Sequence, residues 1–161
     1  MDKELLRQRF ISAFKSVAYP GDEEIGLIEG RDDSEDLTER LRGRSWESLA
    51  PSELSRSDLN FMTPQAFHYY LPAYILAVCE ESGDISDAVF EHLTPPKLKT
   101  NDRQGRFFQL FQKFTSEQKE VINDFLDFIY TEILEWNGGV EGMKRENVLF
   151  WNELRGYWRS L

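Results

Sequence analysis

The sequence is short of what a reactive centre usually needs. Its 161 residues hold one cysteine, Cys79, and two histidines, His68 and His92. A lone cysteine excludes an internal disulfide and removes any demand for an oxidising compartment. Two histidines and one thiol, none at paired metal spacing, are too few for a zinc site, so no metal is expected. The ten glycines are scattered, with no strand-to-helix phosphate cradle of the Walker or dinucleotide type, and no cofactor is expected. No apolar run approaches the roughly 20 residues of a membrane span, and no signal peptide opens the chain. A cytoplasmic location is the expectation. Basic residues are scarce as well: 19 Lys and Arg face 29 Asp and Glu, for a net charge of −10. Nucleic acid and anionic membranes are poor partners for such a field, and a basic protein is its natural complement.

What the chain does have is apolar content at helical spacing. With 40% hydrophobic and 14% aromatic residues it can build a packed core, and its length suits one domain over residues 1–161. Leu6, Phe10, Ala13, Phe14 and Val17 predict a helix over about 3–17. Tyr19-Pro20-Gly21-Asp22 suits a type II turn, after which Asp22 is placed to cap a short turn through Glu23, Glu24 and Ile25. A second helix starts at Asp33 or Ser34, carries Leu37 and Leu41, and ends near Gly43. Trp46 and Leu49 read as anchors in a loop that runs to Pro51. A third helix runs from Pro64 to about Ser82, with Thr63 as N-cap and Gly83 as its stop. A short helix spans Ser86 to His92, and residues 97–106 read as a basic, mobile connector. Phe107 to Phe114 form a short apolar helix. Thr115-Ser116-Glu117-Gln118 has the form of a capping box. It opens a long helix to about Trp136, with Val121, Phe125, Ile129, Ile133 and Trp136 in one seam. The last helix starts near Lys144 and presents Val148, Trp151, Leu154 and Trp158. No alternating pattern is long enough for a sheet. The expected fold is all-α: a single compact multi-helix domain with a proline-kinked central helix.

The central helix holds the most informative stretch. Pro64 suits a first helical position, but Pro72 lies where the helix should still be running. Its missing N–H leaves the His68 carbonyl without a helical partner, and its ring pushes that carbonyl aside. The expected kink opens a polar gap beside Tyr69 and Tyr70. A candidate pocket is therefore Tyr19, Asp22, His68, Tyr69 and Tyr70. Thiol catalysis is rejected, because His68 and Cys79 on one helix lie about 16 Å apart along its axis.

Carboxylates form the second constellation. Between residues 22 and 53 stand eleven acids and four arginines, a local balance of −7. Asp22, Glu23, Glu24, Asp32 and Asp33 lack the alternating, glycine-centred loop of a calcium site, and capping and solvation explain them more simply. On the long helix Glu117, Glu120, Asp124, Asp127 and Glu135 make a like-charged ridge, with Lys119 as its one base. Asp22, Glu23, Glu24, Asp32, Asp33, Glu120, Asp124 and Asp127 are the candidate partner surface.

Tyr19-Pro20-Gly21-Asp22, Gly43-Arg44-Ser45-Trp46 and Ala66-Phe67-His68-Tyr69-Tyr70-Leu71-Pro72-Ala73 together resemble a family of small bacterial proteins of unassigned function. The resemblance runs from Phe10 to about Phe128 and implies no activity or catalytic residue. The expected function is a non-enzymatic protein-binding module, of the immunity or antitoxin type, that masks a basic effector. Its rival is a small-molecule or hydrolytic site around His68. A third expectation is a protein-binding or dimer patch formed by exposed parts of Trp151, Tyr157 and Trp158.

Overall fold

The computed structural model describes residues 2–27, 32–80, 84–98 and 104–161. Among these residues the chain forms eight α-helices and no strand. They are α1 (Lys3–Phe14), α2 (Asp32–Leu41), α3 (Asp58–Phe61), α4 (Pro64–Glu80), α5 (Asp84–Leu93), α6 (Gln104–Phe111), α7 (Ser116–Trp136) and α8 (Arg145–Arg159). The all-α expectation is met, and one hydrophobic cluster runs from Leu6 of α1 to Trp158 of α8.

Helix α4 is the axis of the fold. Every residue from Tyr69 to Cys79 is buried, so it is apolar all round and must be surrounded. Helices α1, α5 and α6 pack against it, as do 3-10 turns at Trp46–Ser48 and Pro51–Glu53. Those turns occupy the stretch expected as loop, and Trp46 is buried there as an anchor. At the start of α4 the Thr63 hydroxyl accepts from Ala66 N at 3.1 Å and donates to the Glu24 carbonyl at 2.5 Å. The N-cap thus also ties down the Glu24 segment. The helix continues through Pro72 to Glu80. Its expected stop, Gly83, lies outside the described residues.

Helix α7 opens with the expected box: Thr115 Oγ1 accepts from Gln118 N, and Gln118 Oε1 accepts from Thr115 N. Its inward face packs on α1 and α8. The seam ends earlier than expected. Val121 and Phe125 are buried, but Trp136 is 89% exposed, because α7 outruns the helices that cover it.

Other boundaries shift for local reasons. Helix α1 stops at Phe14 rather than near residue 17, where Val17 N turns back onto the Phe14 carbonyl. Asp22 caps no helical turn. Its carboxylate accepts from the Tyr19 hydroxyl instead, while Glu24 N bonds to the Gly21 carbonyl. The basic connector is shorter than 97–106: Pro96–Leu98 form a 3-10 turn and Arg106 lies inside α6. Arg106 Nη2 donates at 3.1 Å to the carbonyls of Leu59, Asn60 and Met62, filling the acceptors at the end of α3. Residues 99–103 lie outside the described residues. Trp151 and Trp158 are 7% and 2% exposed, so they belong to the core and make no surface patch.

The segment Ile25–Leu27 clamps α2 to the α3–α4 junction. Thr63 N donates to the Ile25 carbonyl and Leu27 N to the Phe61 carbonyl. Between them Gly26 lies against α2, and its N–H donates to Thr38 Oγ1 at 3.2 Å. A Cβ on Gly26 would sit 2.5 Å from the Ser34 carbonyl oxygen.

Candidate functional site

The structure divides the five residues of the candidate pocket into two environments. His68 leaves α4 toward α1 and the α6–α7 junction. There its ring packs 4.4 Å from Phe114 and edge-on to Phe14 at 6.0 Å. Gln118 holds it. The Gln118 amide nitrogen donates to the Ala13 carbonyl at 3.0 Å, which aims the amide oxygen at His68 Nε2, 2.8 Å away. That oxygen can only accept a hydrogen bond, so the ring donates and Nε2 carries the hydrogen. Burial pushes the imidazole below its ordinary value, with the Gln118 bond opposing and the Lys113 charge reinforcing the shift.

Tyr19, Asp22, Tyr69 and Tyr70 stay together, and the work they do is architectural. The Tyr19 ring meets Tyr69 edge-on at 5.6 Å, and Tyr69 meets Tyr70 the same way at 4.9 Å. The Tyr19 hydroxyl donates to Asp22 Oδ1 at 2.6 Å and accepts from Gly43 N at 2.7 Å. The Tyr70 hydroxyl reaches the carbonyls of Leu41 and Arg44, each at 3.0 Å. Burial raises the pKa of both phenols, with Asp22 adding to the effect at Tyr19. Both therefore remain neutral donors. All these partners on α2 lie in its last residue or in the turn after it, where helix carbonyls lack internal donors. Gly43 has φ +68°, the left-handed geometry that ends a helix at glycine. The turn at Tyr19 and the tyrosine pair of α4 together cap and hold α2.

Helix α2 is thereby fixed at its C-terminal end, and its inner face is buried. Ser34, Leu37 and Leu41 point into the core, and the remaining acidic positions point out. Arg40 carries the third attachment, which the sequence reading did not find. Its guanidinium donates to Asp58 Oδ1 at 2.5 Å, to Asp36 at 2.9 Å and to the Glu53 carbonyl at 3.1 Å. Asp58 is 3% exposed, and its other oxygen accepts from the Tyr74 hydroxyl at 2.6 Å and from Ser55 N at 2.9 Å. Burial, with Asp58 adjacent, drives the Tyr74 phenol well above its ordinary value. The one available signal was an Arg and an Asp eighteen residues apart, a spacing that carries no information without the fold.

The eight acids of the candidate partner surface fare differently. Those on α7 are paired within the molecule. Arg9 of α1 reaches both Glu120 and Asp124. Arg155 and Arg159 of α8 hold Asp127 at 2.5 and 2.9 Å. Burial alone would raise the Asp127 carboxyl, but the bonds from Arg159 and Arg155 outweigh it and leave the pKa lowered. At Asp124 burial prevails over Arg9 and the pKa is raised. On the other side Asp22 serves Tyr19, and Glu23 lies 3.4 Å from Arg42 in an exposed pair worth little. Glu24, Asp32 and Asp33 are exposed, and none meets a cation among the described residues. The same holds for Glu35 and Glu39.

Among the described residues no group of three or more His, Cys, Asp or Glu is placed to hold a metal ion. No described helix is long and apolar enough to cross a membrane. No curated protein and no solved structure matches the chain. A family model does match, over residues 3–160, and takes in both the acidic α2 and the tail after Gly138. The chain belongs to that family, described as a family of unknown function (DUF6714).

Proposed function

We propose that the protein is a non-enzymatic binding module that engages a basic protein through the outer face of α2. What carries the reading is a contrast between two acidic helices. Glu120, Asp124 and Asp127 of α7 are paired with Arg9, Arg155 and Arg159, whereas Asp32, Asp33, Glu35 and Glu39 of α2 face solvent with no cation opposite them among the described residues. Helix α2 is also held rigid by Tyr19, Tyr70, Arg40 and Gly26, so its charges are presented in one geometry and little ordering is needed on binding. Asp32, Asp33 and Glu35 stand in the first turn and gain some stability from the helix N-terminus, but Glu39 does not share that position.

An acidic platform of this kind speeds encounter with a cationic surface and loses that advantage in salt. The concrete version is an immunity- or antitoxin-type inhibitor in a bacterial cytoplasm that masks a basic effector, with nucleic acid and membrane excluded as partners. Affinity capture from the native cells at low salt tests it. A basic protein retained by the wild type and lost from a variant with Asp32, Asp33, Glu35 and Glu39 all changed to Lys supports the reading. Capture of the same proteins by both forms refutes it.

A further inference from the structure

A groove lies between the C-terminal end of α4, helix α5 and the last turns of α7, with the first turn of α1 at its rim. It encloses about 520 Å³, within the range of small-molecule sites. Its walls are mostly apolar, lined by Phe90 of α5, by Phe128, Ile129 and Ile133 of α7 and by Val78 of α4. Trp136 lines it too, although its ring is 89% exposed. A tryptophan left in water beside an apolar concavity is a surface that a ligand would cover.

Two charges at the rim supply the polar recognition. Lys3 and Glu132 both line the groove, both are exposed, and neither forms an ion pair with a described residue or with the other. Glu80, the other carboxylate there, is already held by Arg7 at 3.1 Å. Lys3 and Glu132 line the same groove, so one cation and one carboxylate without a partner stand around a single apolar concavity. The Cys79 thiol, pushed up to about 12 by burial, is uncharged and part of the apolar lining.

From the apolar walls and the unpaired Lys3 and Glu132, we propose that this groove binds a small zwitterion with an apolar body, of the aromatic amino-acid class. The carboxylate of the ligand meets Lys3, its ammonium meets Glu132, and its side chain enters between Phe90 and Phe128 with Trp136 closing over it. The site is independent of the α2 face.

Trp136 reports the test directly, since Trp46, Trp151 and Trp158 are buried. Phenylalanine, phenethylamine and 3-phenylpropanoate share one ring and differ only in charge. The full chain is titrated with each to about 10 mM, tenfold above the Kd of a weak ~1 mM site. The expected result is a saturable blue shift of Trp136 emission with phenylalanine, and at least a fivefold weaker response to the two singly charged compounds. Lys3→Met and Glu132→Gln, both surface changes, should each abolish that preference. Equal or tighter binding of the amine or the acid overturns the zwitterion assignment. No saturable shift with any of the three overturns the site, and a shift that persists in Trp136→Leu places binding elsewhere.

Discussion

Removing the Asp58 carboxylate should be among the most damaging single changes a polar residue of this protein can suffer. The side chain is 3% exposed and serves Arg40, Tyr74 and Ser55 at once. In Asp58→Ala the Tyr74 hydroxyl stays buried without an acceptor, at a cost of about 1–3 kcal/mol. Arg40 loses its inner partner, and breaking a buried ion pair from one side costs about 3–5 kcal/mol. The Arg40 side chain is 32% exposed and retains Asp36, so the lower end applies to it. Because the two figures overlap, the combined expectation is about 4 kcal/mol. For a domain of this size that is a fall in Tm of roughly 8–16 °C. Urea unfolding followed by far-ultraviolet circular dichroism measures it. Tyr74→Phe in the wild type and in Asp58→Ala completes a double-mutant cycle, with an expected coupling of about 1 kcal/mol or more. A loss below about 1 kcal/mol for Asp58→Ala, with additive effects in the cycle, would refute the reasoning that this network anchors α2.

Three further outcomes follow from other parts of the molecule. The folded His68 binds its proton less readily than the unfolded chain, so the unfolded state takes up more protons as pH falls below about 6.5. Its contribution to stability is present above that pH and lost on acidification toward the lowered folded pKa; urea midpoints between pH 7 and 5 should fall for the wild type more steeply than for His68→Gln. Gly26→Ala puts a methyl group against the Ser34 carbonyl and the Thr38 hydroxyl, and should cost about 1–3 kcal/mol, with amide exchange rising first in α2. Trp158, 2% exposed and bonded to the Leu93 carbonyl, should cost about 3–5 kcal/mol on change to Ala, while Trp136→Ala should stay within about 0.5 kcal/mol. Chemical denaturation of the two variants side by side checks both statements.

Local signals carried most of the fold. The Thr115–Gln118 box, the glycine pair after Trp136 and the three-and-four spacing of Phe10, Ala13 and Phe14 each mark a helix by chemistry contained within a few residues. The site was less legible because its meaning depends on partners far along the chain. Asp124 and Asp127 of α7 read as part of a self-repelling ridge until Arg9 and Arg155 arrive from the two ends of the sequence. His68 and Tyr70, two residues apart on one helix, point to opposite sides, which the helical angle already implied. What the angle could not say is that Gln118 waits on one side and the end of α2 on the other. Arg106 looked like part of a mobile connector because its three carbonyl partners lie more than forty residues upstream. Trp136 matched the seam in register but lies beyond the helices that would bury it.

The central claim, that the outer face of α2 is the binding surface, is tested most directly by the association rate with the captured basic partner across ionic strength. The account predicts a rate that falls about tenfold or more between low salt and several hundred millimolar. Lysine substitution at Asp32, Asp33, Glu35 and Glu39 should reproduce that fall at low salt, and neutralising Glu120 should not. A rate indifferent to both salt and the α2 substitutions would contradict it.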